Sequence, residues 1–121
     1  MELFHPEDIR ELSNLGVVSR QLLTPESAPE SRVTLTEVHL APGAEQPRHV
    51  HDRSEQIWYA LRGEAVLLLK DEEERPFRTG DVVRFAPGEI HGARNDSTEA
   101  FVYLSATSPP QSFDRAYKNR I

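Results

Sequence analysis

Gly43 to Gly63 reads GAEQPRHVHDRSEQIWYALRG. Its centre is His49-Val50-His51. On an extended chain, side chains two apart point to the same side. The segment therefore aims two imidazoles at one point, which is half of a tetrahedral or octahedral metal site. Ile57 to Leu61 follows at once, rich in β-branched and aromatic residues, and reads as a strand that ends at Gly63.

The same pattern continues on both sides. Val33 to Leu40 is rich in Val, Leu and Thr, with near-alternating polarity, and reads as a strand. Glu64 to Leu69, Asp81 to Phe85 and Ala100 to Leu104 read the same way. Turn chemistry separates them: Ala41-Pro42-Gly43, Arg62-Gly63, the acidic run Asp71 to Glu74, Thr79-Gly80 and Pro87-Gly88. The acidic run is expected at a solvated hairpin tip. Many short strands with regular turns predict an all-β sandwich or barrel.

The N-terminus departs from this pattern. Pro6 to Leu15 reads as one short helix. Pro6 suits the first turn, Glu7 and Asp8 suit the positive end, and Gly16 stands where a C-terminal cap belongs. Ile9, Leu12 and Leu15 would share roughly one face. Thr24 to Ser31 carries two prolines and reads as a loop. The tail, residues 106–121, holds Pro109-Pro110 and then Phe113 and Tyr117 at helical spacing. It is expected to fold back over the barrel or onto a second subunit.

Composition limits the function. A chain of 121 residues predicts one domain. There is no cysteine, so disulfides, thiolate metal sites and Cys nucleophiles are excluded together. Net charge is −6, from 14 basic and 20 acidic residues, with no basic stripe. That argues against nucleic acid as a partner. The longest apolar run, Ala65 to Leu69, is too short to cross a bilayer as a helix. The first residues carry neither a basic start nor an apolar run, so no signal peptide is expected and the cytoplasm is the default location.

A second motif lies downstream: Gly80, five residues, Ala86-Pro87-Gly88, two residues, His91, three residues, Asn95. Together with the Gly43 to Gly63 stretch it resembles the paired motifs of the cupin family, in the family's order. The resemblance spans about residues 33–105. It implies a double-stranded antiparallel β-helix, the RmlC-like jelly-roll barrel, in agreement with the strand pattern. It also implies one divalent metal ion inside the barrel (Fe, Mn, Ni or Zn), held by His49, His51, His91 and a fourth ligand. The small single-domain members are often homodimers.

Two departures from the family pattern stand out. Ala86 occupies the place of the second motif's proline, with Pro87 next to it. The fourth ligand, usually Glu, falls either on Gln56, counting back from Gly63, or on Glu55, counting forward from His51. Neighbours on a strand face opposite ways, so one choice excludes the other. With Gln56 inward, Trp58 and Ala60 line the pocket; with Glu55 inward, Ile57 and Tyr59 do. Phe85, Phe101 and Tyr103 read as core, with one or two at the pocket mouth. Glu55, Tyr59 and Tyr103 are the candidate proton-transfer residues. Asn95 is expected to order a loop, and His5 and His39 read as surface or hydrogen-bonded histidines. Arg48, Arg53, Arg62 and Arg94 fall near the motifs, and one of them is a candidate for steadying a substrate carboxylate.

An ion with three His and one amide or carboxylate ligand keeps open positions. That predicts an enzyme acting on a small polar or carboxylate-bearing metabolite. Its reaction is either oxygen-dependent, as in a dioxygenase, or redox-neutral, as in an isomerase, decarboxylase or lyase. The alternatives are a non-catalytic small-molecule-binding or regulatory module and a structural barrel with a vestigial site.

Overall fold

In the computed structural model residues 1–120 are described, with side chains through residue 118; of the tail expectation, Ile121 lies outside the described residues. The strands are β1 (Arg10–Asn14), β2 (Val17–Leu23), β3 (Thr34–Leu40), β4 (Glu45–His49), β5 (Glu55–Arg62), β6 (Glu64–Leu68), β7 (Glu74–Arg78), β8 (Val82–Phe85), β9 (His91–Arg94), β10 (Phe101–Ser108) and β11 (Asn119–Arg120). They form two antiparallel sheets. One runs β11-β1-β2-β3-β10-β5-β8 and the other β4-β9-β6-β7. The two close face to face into a jelly-roll barrel around an apolar core that includes Leu12, Leu40, Trp58, Phe77, Phe101 and Tyr103.

Alternation decides which side chains reach the interior. On β5, Gln56, Trp58 and Ala60 are buried, while Ile57, Tyr59 and Leu61 are exposed. Thr34, Thr36, Val38 and Leu40 face inward from β3. The acidic run falls in the turn between β6 and β7, where Asp71 and Glu72 take positive φ. Asn95 is fully buried and orders the turn before β10. Its amide donates to the Leu40 and Glu99 carbonyls at 3.0 and 2.8 Å, and its oxygen accepts from Ser97 N–H at 2.9 Å.

The predicted helix over Pro6–Leu15 does not form. Only Pro6–Asp8 makes a single 3-10 turn, and the chain then enters β1. β1 and β2 form a hairpin with Asn14 opposite Val17, so Leu15 and Gly16 are its loop. Gly16 has φ +73°, the conformation a helix cap and a tight turn share. Leu12 does bury, but by β alternation, and Leu15 projects fully into solvent at the tip. The tail is likewise not helical beyond the 3-10 turn Asp114–Ala116. It folds back over the barrel, where Arg10 and Asp114 pair at 2.6 Å and Asn14 and Ser54 donate to the Ala116 and Pro109 carbonyls.

β4 crosses β9 closely, with His49 opposite His91. Gly92 makes that approach possible. A Cβ there would lie 2.6 Å from the Gln46 carbonyl oxygen and 2.9 Å from both Arg48 N and Pro47 C. All three are backbone atoms and cannot rotate away. Gly92→Ala is therefore expected to cost about 1–3 kcal/mol through forced strand separation. Thermal denaturation followed by circular dichroism measures it. A melting temperature equal to wild type would mean that β4 yields freely.

Candidate metal centre

The fold brings three imidazoles together from two places in the chain. His49 closes β4, His51 follows two residues later, and His91 opens β9. Their ring centroids lie 4.9 Å (His49–His51), 4.3 Å (His49–His91) and 5.2 Å (His51–His91) apart. Ligating nitrogens from the three fall within 4.8 Å of one another, so these residues are positioned to bind a metal ion. His49 Nδ1–H donates to the Pro47 carbonyl at 2.8 Å, and His91 Nδ1–H donates to the Glu89 carbonyl at 2.9 Å. Each bond sets the tautomer and leaves Nε2 with its lone pair bare. Burial lowers the pKa of all three. It carries His51 and His91 down to about 4, in both with help from the neighbouring imidazoles, whose charges would repel. At neutral pH the imidazoles are uncharged, the form that ligates a metal.

Gln56 sits beside them. Trp58 Nε1–H donates to its Oε1 at 2.7 Å, and its own Nε2–H donates to Thr107 Oγ1 at 2.8 Å. These two bonds fix which end of the amide is oxygen. That oxygen lies 3.1 Å from His91 Nε2. With the His91 proton on Nδ1, both atoms are acceptors, and two lone pairs facing each other repel. A cation between them removes the conflict. The spacing also suits two adjacent ligands on one ion, since donors about 2.1 Å from a metal and at right angles stand about 3 Å apart. His51 Nε2 is buried and has no partner among the described residues. Its other nitrogen meets the Gln111 side-chain amide at 3.1 Å. A bare donor set of this kind fits a divalent ion. Gln56 is buried and Glu55 is turned to the outer surface, where it pairs with Arg84 at 2.8 Å.

A cavity of about 250 Å³ opens in front of His49 and His51. His49, His51, Gln56, Trp58 and Tyr103 line it, together with Thr36 and Ser105 from the facing sheet and Phe113 and Tyr117 from the tail. Phe113 stands edge-on to His51 at 5.9 Å. Phe85 lies behind the site, stacked on His91 at 4.2 Å. Ala60 and Phe101 are buried in the core, off the cavity wall. Tyr59 is exposed on the outer face. Tyr103 is fully buried, its hydroxyl bonded to Gln46. Burial first, and the neighbouring Tyr117 second, hold its pKa well above the usual value, so it stays protonated.

The arginines are differently employed. Arg94 is clamped by Glu74 and Asp96 at 2.9 and 2.7 Å. Arg48 borders the cavity; its Nε donates to the Leu69 carbonyl at 2.8 Å and its Nη1 lies 3.7 Å from Glu72, but its Nη2 is buried without a partner among the described residues, which keeps it a candidate for a substrate carboxylate. Arg53 and Arg62 are exposed. His39 pairs with Glu37 at 2.8 Å, and His5 is exposed. Gln111, Phe113, Thr36 and Ser105 escaped the sequence reading as site residues. The inward row Thr34-x-Thr36 and Ser105-x-Thr107, hydroxyls where apolar side chains belong, was a signal for the last two.

A cupin-domain family model matches residues 36–107. An uncharacterized protein of Methanocaldococcus jannaschii is 28% identical over 99 residues, 82% of this chain and 78% of that protein. Among solved structures, a predicted oxalate decarboxylase from Thermotoga maritima is 26% identical with a TM-score of 0.69, covering 76% of this chain and 79% of its own. Ectoine synthase from P. lautus shares the fold at a TM-score of 0.80 and 19% identity, covering 100% of this chain and 90% of its own.

Proposed function

The chain belongs to the cupin family, and from that premise we propose that it is a metal-dependent enzyme acting on a small carboxylate-bearing metabolite. One divalent ion per chain (Fe, Mn, Ni or Zn) would be held by His49, His51, His91 and the Gln56 oxygen. The observation that carries this reading is the facing pair of acceptors, Gln56 Oε1 and His91 Nε2, 3.1 Å apart beside His51 Nε2, which has no partner among the described residues. When bound, the ion would supply Lewis-acid chemistry or, if redox-active, electron transfer.

The protein's contribution is binding and exclusion of water. All four donors are neutral, so the ion keeps its full double charge and favours an anionic ligand. Trp58 and Phe113 shield the cavity, and Tyr103 stays a neutral hydroxyl that can donate and accept hydrogen bonds. The likeness to the predicted oxalate decarboxylase supports a carboxylate substrate and a redox-neutral reaction over a dioxygenase. A second reading, a non-catalytic metabolite-binding module, is favoured by one observation: no carboxylate side chain lines the cavity among the described residues.

Gln56→Ala and Glu55→Ala, compared by calorimetric metal titration, test the ligand set. Gln56→Ala is expected to weaken binding at least about 10–100-fold, the range seen even for supporting residues, and Glu55→Ala to leave it unchanged. A loss confined to Glu55→Ala overturns the assignment. Carbon dioxide release from a panel of small carboxylates separates enzyme from binding module. Oxygen uptake seen only with iron would instead indicate the dioxygenase class.

A further inference from the structure

The strands opposite the metal centre carry buried hydroxyls where a barrel interior is normally apolar. Thr36 on β3 and Ser105 on β10 are direct cross-strand partners. They are 3% and 4% exposed, both line the cavity, and neither hydroxyl has a protein hydrogen-bond partner among the described residues. Nearby polar groups are already engaged. Thr107 accepts from Gln56, Thr34 donates to the Gln111 carbonyl, Ser19 accepts from Gln21, and Gln46 donates to Tyr117 Oη. Thr36 and Ser105 are thus two adjacent hydroxyls aimed into the cavity and left open. Both open on the cavity, where a ligand can donate to them and accept from them.

We propose that Thr36 and Ser105 form the substrate-recognition wall, and that the substrate is a short carboxylate carrying hydroxyl groups. This rests on the metal-site reading for the carboxylate end, which faces the imidazoles. The other end meets two neutral hydroxyls, each able to donate and accept. Ser19, Gln46 and Tyr103 complete this part of the lining, and Arg48 also borders the cavity, its Nη2 buried without a hydrogen-bond partner among the described residues. The cavity, at about 250 Å³, is below the roughly 300–1,000 Å³ of pockets for drug-sized ligands, in keeping with a metabolite of a few carbons.

Trp58 is the chain's single tryptophan and lines this cavity, so its fluorescence reports occupancy. The probes are two matched pairs, glycerate against propionate and gluconate against hexanoate, each titrated into the millimolar range. The proteins are wild type, Thr36→Val, Ser105→Ala, the double variant, and Thr36→Ser, which keeps the hydroxyl. Circular dichroism confirms folding of each. Wild type is expected to prefer the hydroxylated member of at least one pair by about tenfold, the size two hydrogen bonds supply. The double variant is expected to lose that preference, and Thr36→Ser to retain it. No preference in wild type, or one that persists in the double variant, overturns the proposal. Running each titration on zinc-loaded and on chelator-treated protein separates the two readings. If zinc does not bind, the metal-site reading fails, while the hydroxyl preference of the metal-free protein still decides the role of this wall.

Discussion

His91→Ala purified without added metal or an affinity tag is expected to carry almost no metal, where wild type carries close to one ion per chain. His91 is 1% exposed, its Nδ1–H is spent on Glu89, and its Nε2 faces the Gln56 oxygen. Deleting it removes one of three nitrogen donors. Loss of supporting residues around a metal already costs about 10–100-fold in affinity, so loss of a ligand should exceed that. The effect on stability has a distinctive form. A metal at 1,000 times its dissociation constant stabilises the native state by about 4 kcal/mol. Chelation should therefore lower the melting temperature of wild type and leave that of His91→Ala unmoved. In the metal-free state the substitution also removes the clash of lone pairs with Gln56, which offsets part of the cost of losing the ring stacked on Phe85. Mass spectrometry of metal content and melting with and without chelator are the measurements. Equal metal in both proteins would mean that these imidazoles do not hold the ion.

What could be read in advance divides along the range of the forces involved. His49-Val50-His51, the spacing from Gln56 to Gly63 and the turn before His91 are local patterns, and the barrel follows from the strand periodicity. Counting back from Gly63 places Gln56 inward, and the burial alternation of β5 agrees with it. The N-terminus was misread because its local signals were ambiguous. Pro6, Glu7 and Asp8 do start a turn, and Gly16 does need a positive φ, but a helix cap and a hairpin loop ask for the same glycine. Pairing of Arg10–Asn14 with Val17–Gln21 on one side and with β11 on the other decided it, and β11 is about a hundred residues away. Gln111 and Phe113 reach His51 by the same kind of long return, with no motif to announce it. Arg94 stands three residues after His91, yet Glu74, from another strand, takes its guanidinium. Such contacts depend on topology and lie outside the reach of spacing rules.

Trp58→Ala is expected to be the most destabilising single substitution. The indole is 1% exposed and packs on Tyr103 at 4.3 Å, Phe85 at 5.1 Å and His91 at 5.5 Å. Truncating a buried aromatic of this size costs about 3–5 kcal/mol, against a total of about 5–15 kcal/mol for a domain. Trp58→Phe separates the two roles of the side chain. It keeps most of the packing but removes the N–H that donates to Gln56 Oε1 at 2.7 Å. Gln56 then keeps only its bond to Thr107, and nothing prevents its amide from turning its NH2 toward His91. An NH2 has no lone pair to offer a metal. Trp58→Phe is therefore expected to cost about 1–2 kcal/mol in stability, yet weaken metal binding by about tenfold. Denaturation followed by far-ultraviolet circular dichroism measures the first effect, because the only tryptophan is gone; calorimetric titration measures the second. Metal affinity equal to wild type in a folded Trp58→Phe chain would reduce Trp58 to packing alone. It would also remove the reason for the Gln56 oxygen to face the imidazoles.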